Sequence, residues 1–244
     1  MKLVKRIALL LYNAWSLLWF VGIYLILFPF IYIAIQRKYW HPIGHKLTQI
    51  WSYLLFFMIG KKIRVKREFE MNPKGTYVFV ANHFSYLDIA AGMGIFQNHF
   101  AFIGKSSVRK MPLLGYMFYK LHIMVDRSDR NSRSNSLGRG IKSLKSGRSV
   151  FVMPEGGIIS KNIPQMAHPF KDGAFIMAIE NQVPIVPITF VNNYKIMPEF
   201  KLQWGTPEVV IHKAISTENK TKADINALRE EVYRIIQKTL DKHS

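Results

Sequence analysis

The chain has 244 residues, a formal charge of +19, 49% hydrophobic residues and no cysteine. That length fits one domain with an appendage and gives enough chain for a substantial core. The lack of cysteine excludes thiol nucleophiles, thiolate metal sites and disulfides.

The charge is unevenly spread. Residues 1–67 hold eleven Lys or Arg and no acid, and residues 105–148 hold eleven against Asp126 and Asp129. Such blocks call for polyanions: nucleic acid, an acidic membrane surface or phosphorylated substrates. In the first block the surroundings select membrane. An almost unbroken apolar stretch runs from Ile7 to Ile35, interrupted by Asn13, Ser16 and Gly22, with Pro29 near its end. It exceeds the ~20 residues a spanning helix needs and is too long for a signal-peptide core. Tyr12, Trp15, Trp19, Tyr24 and Tyr32 are rings of the kind found at a lipid–water boundary. A second stretch, Leu47 to Ile59, is too short to span and reads as an interfacial helix. Lys2, Lys5 and Arg6 precede the long stretch and Arg37 and Lys38 follow it, so a single span would strand one cationic cluster on the wrong side. A helical hairpin in one leaflet keeps every cation near anionic headgroups. The expected location is therefore a membrane, at the cytoplasmic face of the inner (cell) membrane. His41 and His45 are four apart, but Pro42 and Gly44 between them argue against a helical metal pair, and no metal is expected.

Beyond residue 60 the pattern becomes that of a globular domain, giving a division into 1–60 and 61–244. Strands are expected at 76–80, 100–103, 121–125, 149–153, 185–190 and 208–212. Between them, helical patterns run from 89 to about 96, then over 106–120, 133–146, 171–181 and 223–240. Alternating strands and helices imply an α/β fold with a mixed, largely parallel sheet covered by helices, preceded by the membrane-embedded hairpin. In such sheets ligands sit beyond the carboxyl ends of the strands, and the polar signals fall there. His83, Lys105, Arg127 and Glu155 each directly follow a short apolar run. Ser85 is placed to cap the helix after the first strand, with Asp88 in its first turn. His83 and Asp88 suit a base and its orienting partner. The pair alone also fits a polar turn that only satisfies backbone groups. Four such strand ends in succession favour one convergent polar site. His99, His122 and His168 read as structural or surface histidines, and Met111, Met117 and Met124 as filler.

At these residues the chain resembles the glycerolipid acyltransferase family, which includes the bacterial lysophosphatidate acyltransferases. Asn82-His83 through Asp88 matches the first motif, and Gly104-Lys105 with Pro112-Leu113-Leu114-Gly115 matches the approach to the second. Val125-Asp126-Arg127-Ser128 matches the second, Pro154-Glu155-Gly156 the core of the third, and 183–188 the fourth. The likeness covers about residues 60 to 215. It implies an O-acyltransferase in which His83 is general base on a lysolipid hydroxyl and Asp88 orients its ring. Lys105 and Arg127 would hold the acceptor phosphate, and Glu155 with Gly156 would shape the acceptor pocket. Acyl-CoA or acyl carrier protein would be the acyl donor, with no cofactor bound permanently. The acceptor would be 1-acylglycerol-3-phosphate, and anionic membrane lipids the surroundings. The third motif departs from the family, reading Gly157-Ile158-Ile159-Ser160 where Thr-Arg-Ser is usual. That puts the headgroup in question and leaves Lys161 or the basic helix at 133–148 to compensate. Alternatives are a transferase for another lysolipid, a membrane-bound thioesterase or esterase, and a non-catalytic binder of anionic lipid or RNA. Nucleic acid is not expected, because the cations accompany lipid-seeking aromatics and no RNA-binding signature appears.

Overall fold

A computed structural model describes residues 2–243. Helix α1 (Lys2–Ala34) runs unbroken with Pro29 inside it, and α2 (His41–Met58) returns alongside. The antiparallel pairing is fixed by indole and phenol donors. Trp15 Nε1 donates to Met58 O at 2.8 Å, Tyr12 OH to Ile59 O at 2.9 Å and Trp51 Nε1 to Phe20 O at 3.2 Å. Pro42 and Gly44 lie inside α2, which starts before the expected stretch from Leu47. Pro42 lies in the first turn, where its missing N–H costs nothing. Gly44 lets α2 come close to Ile35 and Leu121. His41 faces the Ile35 carbonyl at 3.3 Å, whereas His45 is buried against the rings of His99 and Phe100.

Seven strands form one sheet: β1 (Arg64–Arg67), β2 (Val78–Ala81), β3 (Phe100–Lys105), β4 (Ile123–Val125), β5 (Ser149–Val152), β6 (Ile185–Phe190) and β7 (Glu208–Ile211). Their order is β1-β7-β6-β2-β5-β3-β4, and every pairing is parallel except β6 with β7. The mixed, mostly parallel sheet is thus as the alternating pattern implied. β1 was not anticipated. Its sequence, Arg-Val-Lys-Arg, offers one apolar residue, and such cationic edges resist pairing with other chains. Helices α3 (Leu87–Gly94), α4 (Leu114–Leu121), α5 (Arg130–Lys145), α6 (Gly173–Asn181), α7 (Asn193–Ile196) and α8 (Ile225–Asp241) connect or follow the strands.

The expected helix over 106–120 is broken. A short 3₁₀ turn covers Ser106–Lys110, then Pro112 pushes the chain out of helical geometry, and Leu113 sits at φ 57° before α4 starts. α5 begins earlier than expected, at Arg130, because the Asp129 carboxylate accepts from Asn131 N at 3.1 Å and Ser132 N at 2.8 Å.

β2 shows how the period-two pattern divides the core. Phe79 and Ala81 face a layer with Phe96, Phe100, Phe151 and Phe190, where α2 and α3 pack. Val78 and Val80 face the opposite layer with Phe175, Leu228, Val232 and Ile236 from α6 and α8. The hairpin is bound to this domain at both ends. Asn13 exchanges two hydrogen bonds with the Leu202 backbone, at 2.7 and 2.9 Å, and Tyr116 OH donates to Gln36 at 3.2 Å. Between these points Ser52 Oγ donates to Ala90 O and Gln49 to Phe96 O. The opposite flank of α1, including Leu10, Leu17, Leu18, Ile26 and Phe30, is exposed.

His45, His99 and His122 share the inner side of the hairpin with Arg148. Burial, reinforced by neighbouring positive charge, pushes His45 down to about 3, His99 down to about 4 and His122 well below the usual histidine range. These groups stay neutral in the fold but bind protons in the unfolded chain below about pH 6.5. Unfolding therefore takes up protons as pH falls, and their contribution to stability is lost from pH 6.5 toward pH 4. Unfolding midpoints measured in one detergent are expected to fall steadily from pH 7.5 to 5. His45→Phe, which keeps the ring packing, is expected to flatten that slope.

Candidate active site

The site is built where β2 ends between β5 and β6. Asn82, fully buried, clamps β2 to β6: its Nδ2 donates to Phe190 O at 3.0 Å and its Oδ1 accepts from Phe190 N at 2.8 Å. On the other side Glu155, just past β5, accepts from His83 N at 2.8 Å with Oε1 and from Ala167 N at 2.9 Å with Oε2. Both neighbours thus fix the backbone from which the His83 ring projects.

The ring meets Asp88 in the first turn of α3, with Nδ1 3.1 Å from Oδ2. The same oxygen accepts from Phe84 N at 3.0 Å and Ser85 N at 2.9 Å, while Oδ1 accepts from Asn193 Nδ2 at 2.9 Å. Asp88 is wholly buried. A carboxylate crossed by three other donors has only an acceptor's role to offer His83, so in the neutral ring the proton belongs on Nδ1 and Nε2 is the acceptor. The His83 side chain retains 13% of its surface for solvent or substrate. Ser85 differs slightly from its expected capping role. Tyr86 occupies the cap of α3, while Ser85 Oγ accepts from Leu87 N at 3.2 Å and donates to Met197 O at 3.0 Å.

Glu155 is a buried carboxyl, and desolvation pushes it up to about 7 against the lowering effect of the Ala167 and His83 amides. The following turn takes Gly156 to φ +88° and Gly157 to φ +150°, a path that side chains rarely follow. Two cations lie against it. A Cβ at Gly157 would approach Arg127 Nη1 to 3.2 Å, and one at Gly156 would meet Lys171 Nζ at 2.8 Å. Lys171 is set there by its backbone N–H, which donates to Pro154 O at 3.0 Å. Lys105 ends β3 and its register partner is Val125, two residues before Arg127. It is exposed and makes no hydrogen bond to His83, Asp88 or Glu155 among the described residues. Arg127, Lys105 and Lys171 do not appear in any ion pair among the described residues.

Of the six sequence-derived residues, His83, Asp88, Glu155 and Gly156 are thus joined by bonds or chain adjacency. Arg127 lies against the next glycine, and Lys105 is exposed at the end of β3 with no bond to the others among the described residues. Two contributors were missed. Asn193 follows the apolar β6 as His83 follows β2, and that parallel was the available signal. Lys171 was placed inside a helix that actually begins at Gly173.

A carboxylate-oriented imidazole at the carboxyl edge of the sheet, near cations that join no ion pair among the described residues, is chemically able to take up a proton. Residues 62–191 match the acyltransferase family model, and the chain belongs to that family. It is similar to a 1-acyl-sn-glycerol-3-phosphate acyltransferase of Chlamydomonas reinhardtii, with 29% identity over 94% of this chain and 70% of that protein. A yeast (Saccharomyces cerevisiae) 1-acyl-sn-glycerol-3-phosphate acyltransferase is 34% identical over 74% of this chain and 60% of its own length. This chain spans 54% of a chloroplastic relative from Brassica napus. The crystal structure of the 1-acyl-sn-glycerophosphate acyltransferase PlsC from Thermotoga maritima shares the fold, with a TM-score of 0.76 at 20% identity. The match covers 99% of this chain and 97% of that one.

Asn193→Ala leaves one oxygen of a buried carboxylate without its donor. The expected cost is about 1–3 kcal/mol in urea unfolding, together with a fall in turnover. Gly156→Ala is expected to impair activity by displacing the Lys171 ammonium while leaving the unfolding transition cooperative.

Proposed function

We propose that this chain is a membrane-bound O-acyltransferase that moves a fatty acyl group from acyl-CoA or acyl carrier protein to the free hydroxyl of 1-acylglycerol-3-phosphate. The observation that carries this reading is the contact of His83 Nδ1 with the buried, amide-held carboxylate of Asp88, which leaves Nε2 to accept a proton. In the first step Nε2 takes the proton of the acceptor hydroxyl as its oxygen attacks the thioester carbonyl. Asp88 holds the ring and stabilises the imidazolium. When the tetrahedral intermediate collapses, the C–S bond breaks and the imidazolium returns the proton to the departing thiolate. The chain has no cysteine and no Gly-x-Ser-x-Gly elbow, which fits direct attack without an acyl-enzyme.

Arg127 and Lys171 receive the acceptor phosphate over the Gly156-Gly157 turn, with Lys105 at the rim. The fork of Arg127 suits phosphate oxygens, and Lys171 supplies the second cation where the family's usual third-motif arginine is absent. Glu155 acts through the His83 backbone.

The same reading places the hairpin in one leaflet, with the catalytic domain at the cytoplasmic surface. α1 is long and apolar enough to cross a bilayer. However, Asn13 and Gln36, both docked on the α/β domain, are about 35 Å apart at ~1.5 Å per residue. That distance exceeds the ~30 Å hydrocarbon core, so a perpendicular crossing would carry the soluble domain into lipid. An α1 lying along the surface needs only its exposed flank covered.

Purified protein given acyl-CoA or acyl carrier protein thioesters should form phosphatidic acid only when lysophosphatidate is present. Fatty acid released equally without acceptor would make the chain a hydrolase instead. His83→Ala and Asp88→Asn should each lower kcat/KM by roughly 10²–10⁴-fold or more with the fold intact by circular dichroism. Lys171→Met should raise KM for lysophosphatidate roughly 10-fold or more while changing KM for the acyl donor little.

A further inference from the structure

Lys61 is the unexplained charge of the molecule. Its residue is only 6% exposed, yet it forms no ion pair among the described residues. Burial alone holds its ammonium down to about 8. Two of its three N–H donors reach the carbonyls of Gln203 at 2.8 Å and Gly205 at 2.9 Å. The Tyr12 ring lies 5.6 Å from it and stacks on Trp204 with centroids 4.4 Å apart.

This ammonium lines a cleft of about 520 Å³ between the hairpin and the 203–206 turn, walled also by Trp15, Gly60 and Thr206. Trp15 and Trp204 leave 44% and 65% of their surface exposed. Also on α1, an apolar groove of about 430 Å³ runs past Ala14, Leu18, Gly22 and Leu25. A buried cation with a donor to spare, two exposed indoles and an apolar track together match an amphiphile with an anionic head.

We propose that this cleft is a phospholipid site, in which Lys61 takes the phosphodiester of an anionic membrane lipid and one acyl chain lies along the α1 groove. The inference rests on the membrane reading above and adds a defined headgroup position to it. It lies apart from the substrate site but is joined to it by one segment. That segment leaves the cleft at Trp204 and reaches the catalytic loop, where Phe200 stacks on Tyr86 at 4.2 Å and Met197 O accepts from Ser85. Glu199 and Phe200 within it sit at positive φ, so the segment is held in a path unfavourable for their side chains.

The test uses the full chain in a non-ionic detergent and follows tryptophan fluorescence during titration with monomeric dihexanoyl phosphatidylglycerol. A saturable change is expected in the wild type, lost in Trp204→Phe if Trp204 is the reporter. Lys61→Met should bind about tenfold more weakly. Thr206→Phe, which fills the cleft and keeps the Lys61 carbonyl bonds, should also weaken binding and decides the matter if Lys61→Met fails to fold. Inorganic phosphate and dihexanoylglycerol are each expected to give no saturable change. Equal binding by the two variants and the wild type would overturn the site, as would equal binding of dihexanoylglycerol. Binding of inorganic phosphate as tight as that of the lipid would make the ligand a free anion. Transferase activity is measured separately: binding without activity sinks only the proposed reaction, and activity without binding sinks only this site.

Discussion

The buried carboxylate of Asp88 is the constraint on which the site depends. Removing a carboxylate from water is costly unless its lone pairs are satisfied. Here that requirement is met by four donors from three places: the Phe84 and Ser85 amides, the His83 ring and Asn193 on α7. Each donor is thereby fixed, and so is the turn between β2 and α3. The orientation of His83 follows from this network. Asn193 links the network to the far side of β6, 105 residues away in sequence.

The sheet order explains why these pieces meet. β2 lies between β5 and β6, so its last residues touch the ends of both. Asn82 uses one neighbour and the His83 amide uses the residue that follows the other. Glu155 remains buried without a cation bonded to it among the described residues. Its carboxyl is accordingly raised, while Arg127 and Lys171 approach the glycines beyond it rather than the acid itself. Arg127 and Lys171 thus stand beside the turn that follows Glu155 without an ion pair among the described residues.

The hairpin and the catalytic domain share one surface. Ser52 and Gln49 of α2 bond to backbone carbonyls in and just after α3, the helix that carries Asp88. Asn13 of α1 holds Leu202, and the same segment reaches back to Ser85. The apolar hairpin therefore sits one helix away from the turn that holds His83.

The sequence by itself determined the α/β alternation, the apolar hairpin and four strand-end residues. Strand and helix periods and the composition of lipid-facing segments are local properties that tertiary structure seldom overrides. It anticipated the contact between His83 and Asp88 because a strand end and a helix start five residues apart leave little freedom. β1 escaped because a cationic edge strand owes its pairing to Val65 against Val209 rather than to its own pattern. The start of α2 before Leu47 escaped because Pro42, in its first turn, leaves the helix intact while giving no local sign of where it begins. Asn193 and Lys171 were decided by the tertiary structure alone. Their partners lie in distant segments, and what each side chain touches is set by the crossing of β5 and β6 on either side of β2.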